Sequence, residues 1–148
     1  MRNSKQLKTV QKVVAHRECD AAKALADSQR QLDHRRARLE ELKSFHDEYN
    51  LKLQQAAQTG VGATRLRDHH AFVERLHKAV VEQIRAVQQI EQVVERQRGA
   101  WSNMYARSKA VEDLVSRREK QERQDAVRHL EHDAEEIGRT GVKPSSRR

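Results

Sequence analysis

An all-α chain, two long helices folded back on each other as an antiparallel coiled-coil hairpin, is the architecture this sequence predicts. Three observations carry it. Of 148 residues only 36% are hydrophobic and 3% aromatic, while 35% are charged, which is too little apolar material for a sphere of this size. One Pro and five Gly leave almost no punctuation for strands and turns, so an all-β or α/β domain is excluded. The apolar residues that remain recur at alternating spacings of three and four, the signature of a coiled-coil seam.

The first half carries two interleaved series. One reads Glu18, Leu25, Leu32, Leu39, His46, Leu53, and its companion Val14, Ala21, Ser28, Arg35, Leu42, Tyr49, Ala56. Asn3 is placed to cap the start, with Gln6 three residues on. The second half is more regular. Leu66, Val73, Val80, Val87, Val94, Trp101, Ser108 and Val115 form one series, and His69, Leu76, Gln83, Ile90, Gln97, Met104 and Val111 the other. Beyond it Val127, Leu130, Ala134 and Ile137 keep the spacing but slip out of phase with Val115, a stutter or a change of partner.

Between the halves, Gly60 and Gly62 sit in the one Gly-rich stretch inside the periodic region, a short loop that turns one helix back on the other. The expected division is a first helix within 1–58, a loop at 59–64, a longer helix over 65–137 and a disordered tail over 138–148, with Gly138, Gly141 and Pro144 ending the second helix. A turn centred near Val61 makes residues face each other when their numbers sum to about 122. Trp101 then faces Ala21, Tyr105 approaches Arg17, and Phe45 and Tyr49 come near Phe72 and Leu76. The second helix, about 110 Å long at 1.5 Å per residue, outruns the first from about Glu119 onward. The heptad slip falls in the same place, so this overhang is expected to lack an intrachain partner.

Lys and Arg number 30 against 22 Asp and Glu, a formal charge of +8. The excess is spread along the chain, as on the solvated faces of long helices. All five aromatics lie between Phe45 and Tyr105 with no basic run beside them, so nucleic-acid binding is not expected. Cys19 is the sole cysteine, which permits no intrachain disulfide and agrees with a reducing compartment. No apolar run nears the roughly 20 residues that span a bilayer, and the N-terminus leads into no signal-peptide core. A cytoplasmic protein without direct membrane insertion is the expectation.

There is no phosphate loop, nucleophile elbow or zinc-spaced Cys pair. Among eight histidines, His129 and His132 lie one turn apart near Asp125 and Asp133, but solvated helical histidines account for them. No enzyme activity, cofactor or metal is expected, because a two-helix hairpin offers no water-excluding cleft. Phe45 and Phe72 each stand one position off the strict seam. With Leu42, Tyr49, Leu76 and Ala79 they form an apolar patch near the loop. It either thickens the hairpin core or docks a partner.

At these residues the sequence resembles the FliJ family, the small coiled-coil component of the bacterial flagellar type III export apparatus. The likeness rests on Phe45-x-x-x-Tyr49, the Gly-containing loop, then Phe72-Val73-x-x-Leu76-x-x-Ala79-Val80, with Arg98-x-x-Trp101 and Leu114-x-x-Arg117 downstream. It implies a fold similar to the stalk of rotary ATPase γ subunits. It implies that the free ends of the hairpin enter the hexameric export ATPase FliI and promote its assembly. It also implies that Leu42, Phe45, Tyr49, Phe72, Leu76 and Ala79 contact the export-gate membrane protein FlhA. Export chaperones are further implied partners, with no residue mapped to them. Flagellum biogenesis, protein export, motility and chemotaxis are the implied processes, at the inner face of the cell membrane.

The terminal end is basic on both strands, at Lys5, Lys8, Lys12 and Arg17 and at Arg117, Arg118, Lys120 and Arg123, which suits contact with an acidic ring lumen. Three alternatives stay open on the residues alone: the equivalent stalk of a virulence type III system, a basic scaffold binding nucleic acid non-specifically, and a self-associating filament.

Overall fold

A computed structural model describes residues 3–60 and 62–141. They form two helices, α1 (Ser4–Gln58) and α2 (Ala63–Gly141), packed as a hairpin, with no strand among the described residues. None of the described helices is long and apolar enough to cross a membrane.

The ends of the helices follow from local chemistry. Asn3 caps α1: its Oδ1 accepts the Gln6 backbone N–H at 3.0 Å. At the other end Gly60 takes φ 76°, the left-handed conformation that closes a helix and that a side chain would strain. The carbonyl of Gly62 then accepts the first bond of α2, from Leu66 N–H at 3.1 Å.

The chain divides into two compact units, Asp20–Ser102 and the described residues of Met1–Cys19 with Asn103–Arg148. In the first, Leu32, Leu39, Val80, Val87 and Val94 form a buried cluster, with Leu25, Leu42, Ile84 and Ile90 against it. Each of the five belongs to a seam series. Ser28 is also buried there, and its hydroxyl donates to the Leu25 carbonyl at 3.0 Å, so a polar seam residue is satisfied within its own helix. Trp101, Ala21 and Ala22 are all half-buried. In the second unit Leu7, Val14 and Val115 are buried, and Met104, Ser108, Val111 and Arg118 half-buried. Leu7, one heptad before Val14, extends the seam beyond the residues read from the sequence.

Three expectations need correcting. Arg35 occupies a seam position but is exposed, because a long guanidinium side chain can carry its head out to water. The second helix does not stop at Ile137: residues 138–141 stay helical, and Thr140 Oγ1 donates to the Glu136 carbonyl at 2.8 Å within this last turn. The rest of the tail, from Val142, lies outside the described residues. The overhang also begins later than Glu119, since Glu119 pairs with Lys8 at 2.7 Å and Glu122 with Ser4. Side chains lean toward the N-terminus of their own helix, so in an antiparallel pair long residues meet about one turn past the register of their backbones. Arg36 with Glu91, at 3.2 Å, shows the same offset.

Candidate docking surfaces

Near the loop, the seam reads Leu42, His46, Tyr49 on α1 and Val73, Leu76, Val80 on α2, and the residues one step off it decide what faces solvent. Phe45 is 51% exposed and Phe72 37%, while Leu42, Tyr49, Leu76 and Ala79 are half-buried. The structure brings Tyr49 and Phe72 together edge to face, ring centroids 4.7 Å apart. Such a pair contributes about 0.5–1.5 kcal/mol beyond its area. Lys52 Nζ lies 5.2 Å over the Tyr49 ring and the Arg75 guanidinium 5.9 Å over Phe72, so each ring carries a cation on its face. Leu42 packs on the buried cluster. The six residues therefore divide: Leu42, Tyr49, Leu76 and Ala79 floor the surface, and the two phenylalanines stand out of it.

On the other flank of the same unit, His46 and His77 meet across the helices with ring centroids 5.7 Å apart. The seam placed His46 correctly, and His77 lies within one residue of the position that a turn near Val61 sets opposite it. Together with Asn50, Arg67, His70 and Glu74 they line a groove of about 600 Å³.

In the unit of the chain termini, Lys5, Lys12, Arg17, Arg117 and Arg123 are exposed, Lys8 is exposed and paired with Glu119, and Arg118 is half-buried. The hydrogen bond and charge of Glu119 push the Lys8 ammonium above its usual range. Helix α1 has no acidic residue in its own first turn. Glu122 supplies one from α2: its carboxylate accepts the Ser4 backbone N–H at 2.9 Å and the Ser4 hydroxyl at 2.6 Å. Those two bonds hold the carboxyl below its usual range. A negative group is thereby set against the positive end of the α1 dipole and occupies a donor with no intrahelical acceptor.

Past this clasp, every residue from 123 to 140 is exposed, including Val127 at 53%, Leu130 at 69% and Ile137 at 68%. The helix there presents an apolar stripe left exposed by the described residues. Val13, Tyr105 and Leu114 are further exposed apolar side chains of this unit that the seam did not single out.

No curated relative and no solved structure matches the chain. The family model described as flagellar FliJ protein matches residues 3–132, a span that takes in α1 and all but the last nine residues of α2. The chain is a member of the FliJ family of flagellar export-apparatus proteins.

Proposed function

We propose that this chain is the stalk and adaptor of the flagellar export apparatus, with the paired terminal segments engaging the hexameric ATPase FliI and the surface near the loop docking the gate protein FlhA. Family membership over residues 3–132 is the observation that carries the reading. Two features of the chain support the assignment of ends. The loop-proximal surface exposes two aromatic rings over an apolar floor, as an anchor for a partner would. The terminal segments offer Lys5, Lys12, Arg17, Arg117 and Arg123 to solvent, with Lys8 and Arg118 beside them. The chain works in the cytoplasm at the inner face of the membrane, held there by its partners, and serves motility by promoting ring assembly. Export chaperones are further partners.

A titration of this chain into the purified ATPase tests the proposal. Turnover and hexamer formation rise with added chain, while the chain alone hydrolyses no ATP. Unchanged turnover together with unchanged oligomerisation across the titration refutes the ATPase assignment.

A further inference from the structure

We propose that one flank of the paired terminal segments is a docking face for an acidic segment of the ATPase that carries an apolar anchor. Val10, Val13 and Leu114 form the face, with Arg17, Arg107 and Arg117 around them. The inference rests on the ATPase reading above and adds which side of the segments is used and what chemistry it takes.

Heptad positions sort the surface into two flanks. In α1 Val14 holds position d and Glu18 position a, and in α2 Val111 holds d and Val115 a. In an antiparallel pair the e positions of both helices share one flank and the g positions the other. Lys8 and Glu119, both at e and 2.7 Å apart, fix the first flank. Val10, Arg17, Arg107 and Leu114 are at g and lie on the opposite flank. Val13 and Arg117, at c, form the next row outward on that side.

The two flanks differ in charge. The e flank is mixed, because Glu119 and Glu112 are there, paired with Lys8 and with Lys109 at 3.4 Å. Residues 3–17 include no acid, and the acids of 103–121 are Glu112, Asp113 and Glu119, none of them at g or c. Arg17, Arg107 and Arg117 are exposed and in no ion pair among the described residues. Between them Val13 is 48% exposed and Leu114 45%, beside a half-buried Val10. An unpaired guanidinium offers a fork of N–H donors that matches a carboxylate. Aliphatic side chains beside it exclude water when covered, which strengthens that pairing. A nucleic-acid strand has no use for the aliphatic surface, and no aromatic holds a g or c position here on which a base could stack. The surface therefore fits an acidic protein segment with an apolar side chain to bury.

Affinity of the purified ATPase for the full-length chain, measured on variants at exposed positions that melt as the parent does, tests the face. Arg107→Lys binds nearly as the parent, Arg107→Gln loses about threefold, and Arg107→Glu at least about tenfold. Leu114→Gln, which removes the apolar anchor point and keeps a good helix former, loses at least about fivefold. Lys109→Glu makes the same change of charge two residues along, on the other side of α2, and stays within about twofold of the parent. Parental affinity in Arg107→Glu or in Leu114→Gln overturns the face. Equal losses in Arg107→Gln and Arg107→Glu overturn its acidic partner, and equal losses in Lys109→Glu and Arg107→Glu reduce it to a general charge effect. If Arg107→Glu keeps the ATPase but loses binding to a mixed-sequence DNA duplex, the flank belongs to nucleic acid and the proposal falls. A parent that neither binds nor stimulates the ATPase removes the ATPase assignment and this face with it, whereas a binding parent with indifferent variants removes the face alone.

Discussion

Phe45→Ala separates a docking surface from a thickened core better than any other single change. The ring is 51% exposed, so only about half of the roughly 200 Å² that a phenylalanine offers is withdrawn from water. Alanine keeps part of that, leaving about 80 Å² lost, or about 2 kcal/mol at 25 cal/mol per Å². The unfolded chain already covers some of this area, which brings the cost to about 1.5 kcal/mol and the melting shift to about 3–6 °C. Phe72→Ala is a blunter probe. At 37% exposure it gives up more area and also the Tyr49 edge-to-face pair, for a total of about 3 kcal/mol. That overlaps the range of about 2–5 kcal/mol expected for Leu32→Ala, a residue 3% exposed in the cluster. An anchor ring loses about 2 kcal/mol or more of binding when truncated, about thirtyfold in affinity. Gate affinity and melting are to be measured on Phe45→Ala and Leu32→Ala, each well below its own melting midpoint. Docking requires a thirtyfold loss in the first and parental affinity in the second. A folded Phe45→Ala with unchanged affinity refutes the anchor, and equal losses in both variants refute the surface.

Two further outcomes follow from the terminal unit. Deleting residues 123–148 leaves the melting midpoint of the hairpin within about 2 °C of the parent, because every residue from 123 to 140 is exposed; a large drop in melting measured by circular dichroism counts against an unpartnered overhang. The Glu122 clasp is pH-dependent: its carboxyl is lowered in the fold, so its contribution is complete above the unfolded value of about 4.3 and is lost as pH falls through the folded value. Protection factors of the amides at residues 4–8, taken against the intrinsic exchange rate at each pH, therefore fall on acidification below about pH 4, and in Glu122→Gln most of that fall is gone; an identical pH profile in the variant shows that the carboxylate is not the group responsible.

The seam was legible because it has one cause: apolar residues at three/four spacing must share a helix face, and a loop of fixed position sets which faces meet. Of the residues assigned to the four series, all but Arg35 are buried or half-buried. Arg35 escapes because a seam position constrains where the β-carbon points, while a long charged side chain chooses where its head ends. The same freedom hid the Lys8–Glu119, Ser4–Glu122 and Arg36–Glu91 pairs, which form about one turn away from the register of their backbones. Helix ends were harder still. Gly138 suggested a stop, yet none of the described residues after Ile137 is left-handed and α2 continues to Gly141. Glycine weakens a helix by about 1 kcal/mol at its position but ends it only where another conformation is better satisfied.

The overhang sharpens this distinction between pattern and partner. Val127, Leu130, Ala134 and Ile137 have the spacing of a seam, and the structure leaves every one of them exposed. Two heptads of apolar stripe bury too little surface to pair stably by themselves, and Lys120 and Arg123 hold the places where the same stripe would continue toward the hairpin. A chain under selection for an isolated hairpin would end the apolar spacing where α1 begins. Its persistence past Ser4 leaves an exposed apolar stripe in the same unit as the basic terminal segments, the part of the molecule proposed to meet the ATPase ring.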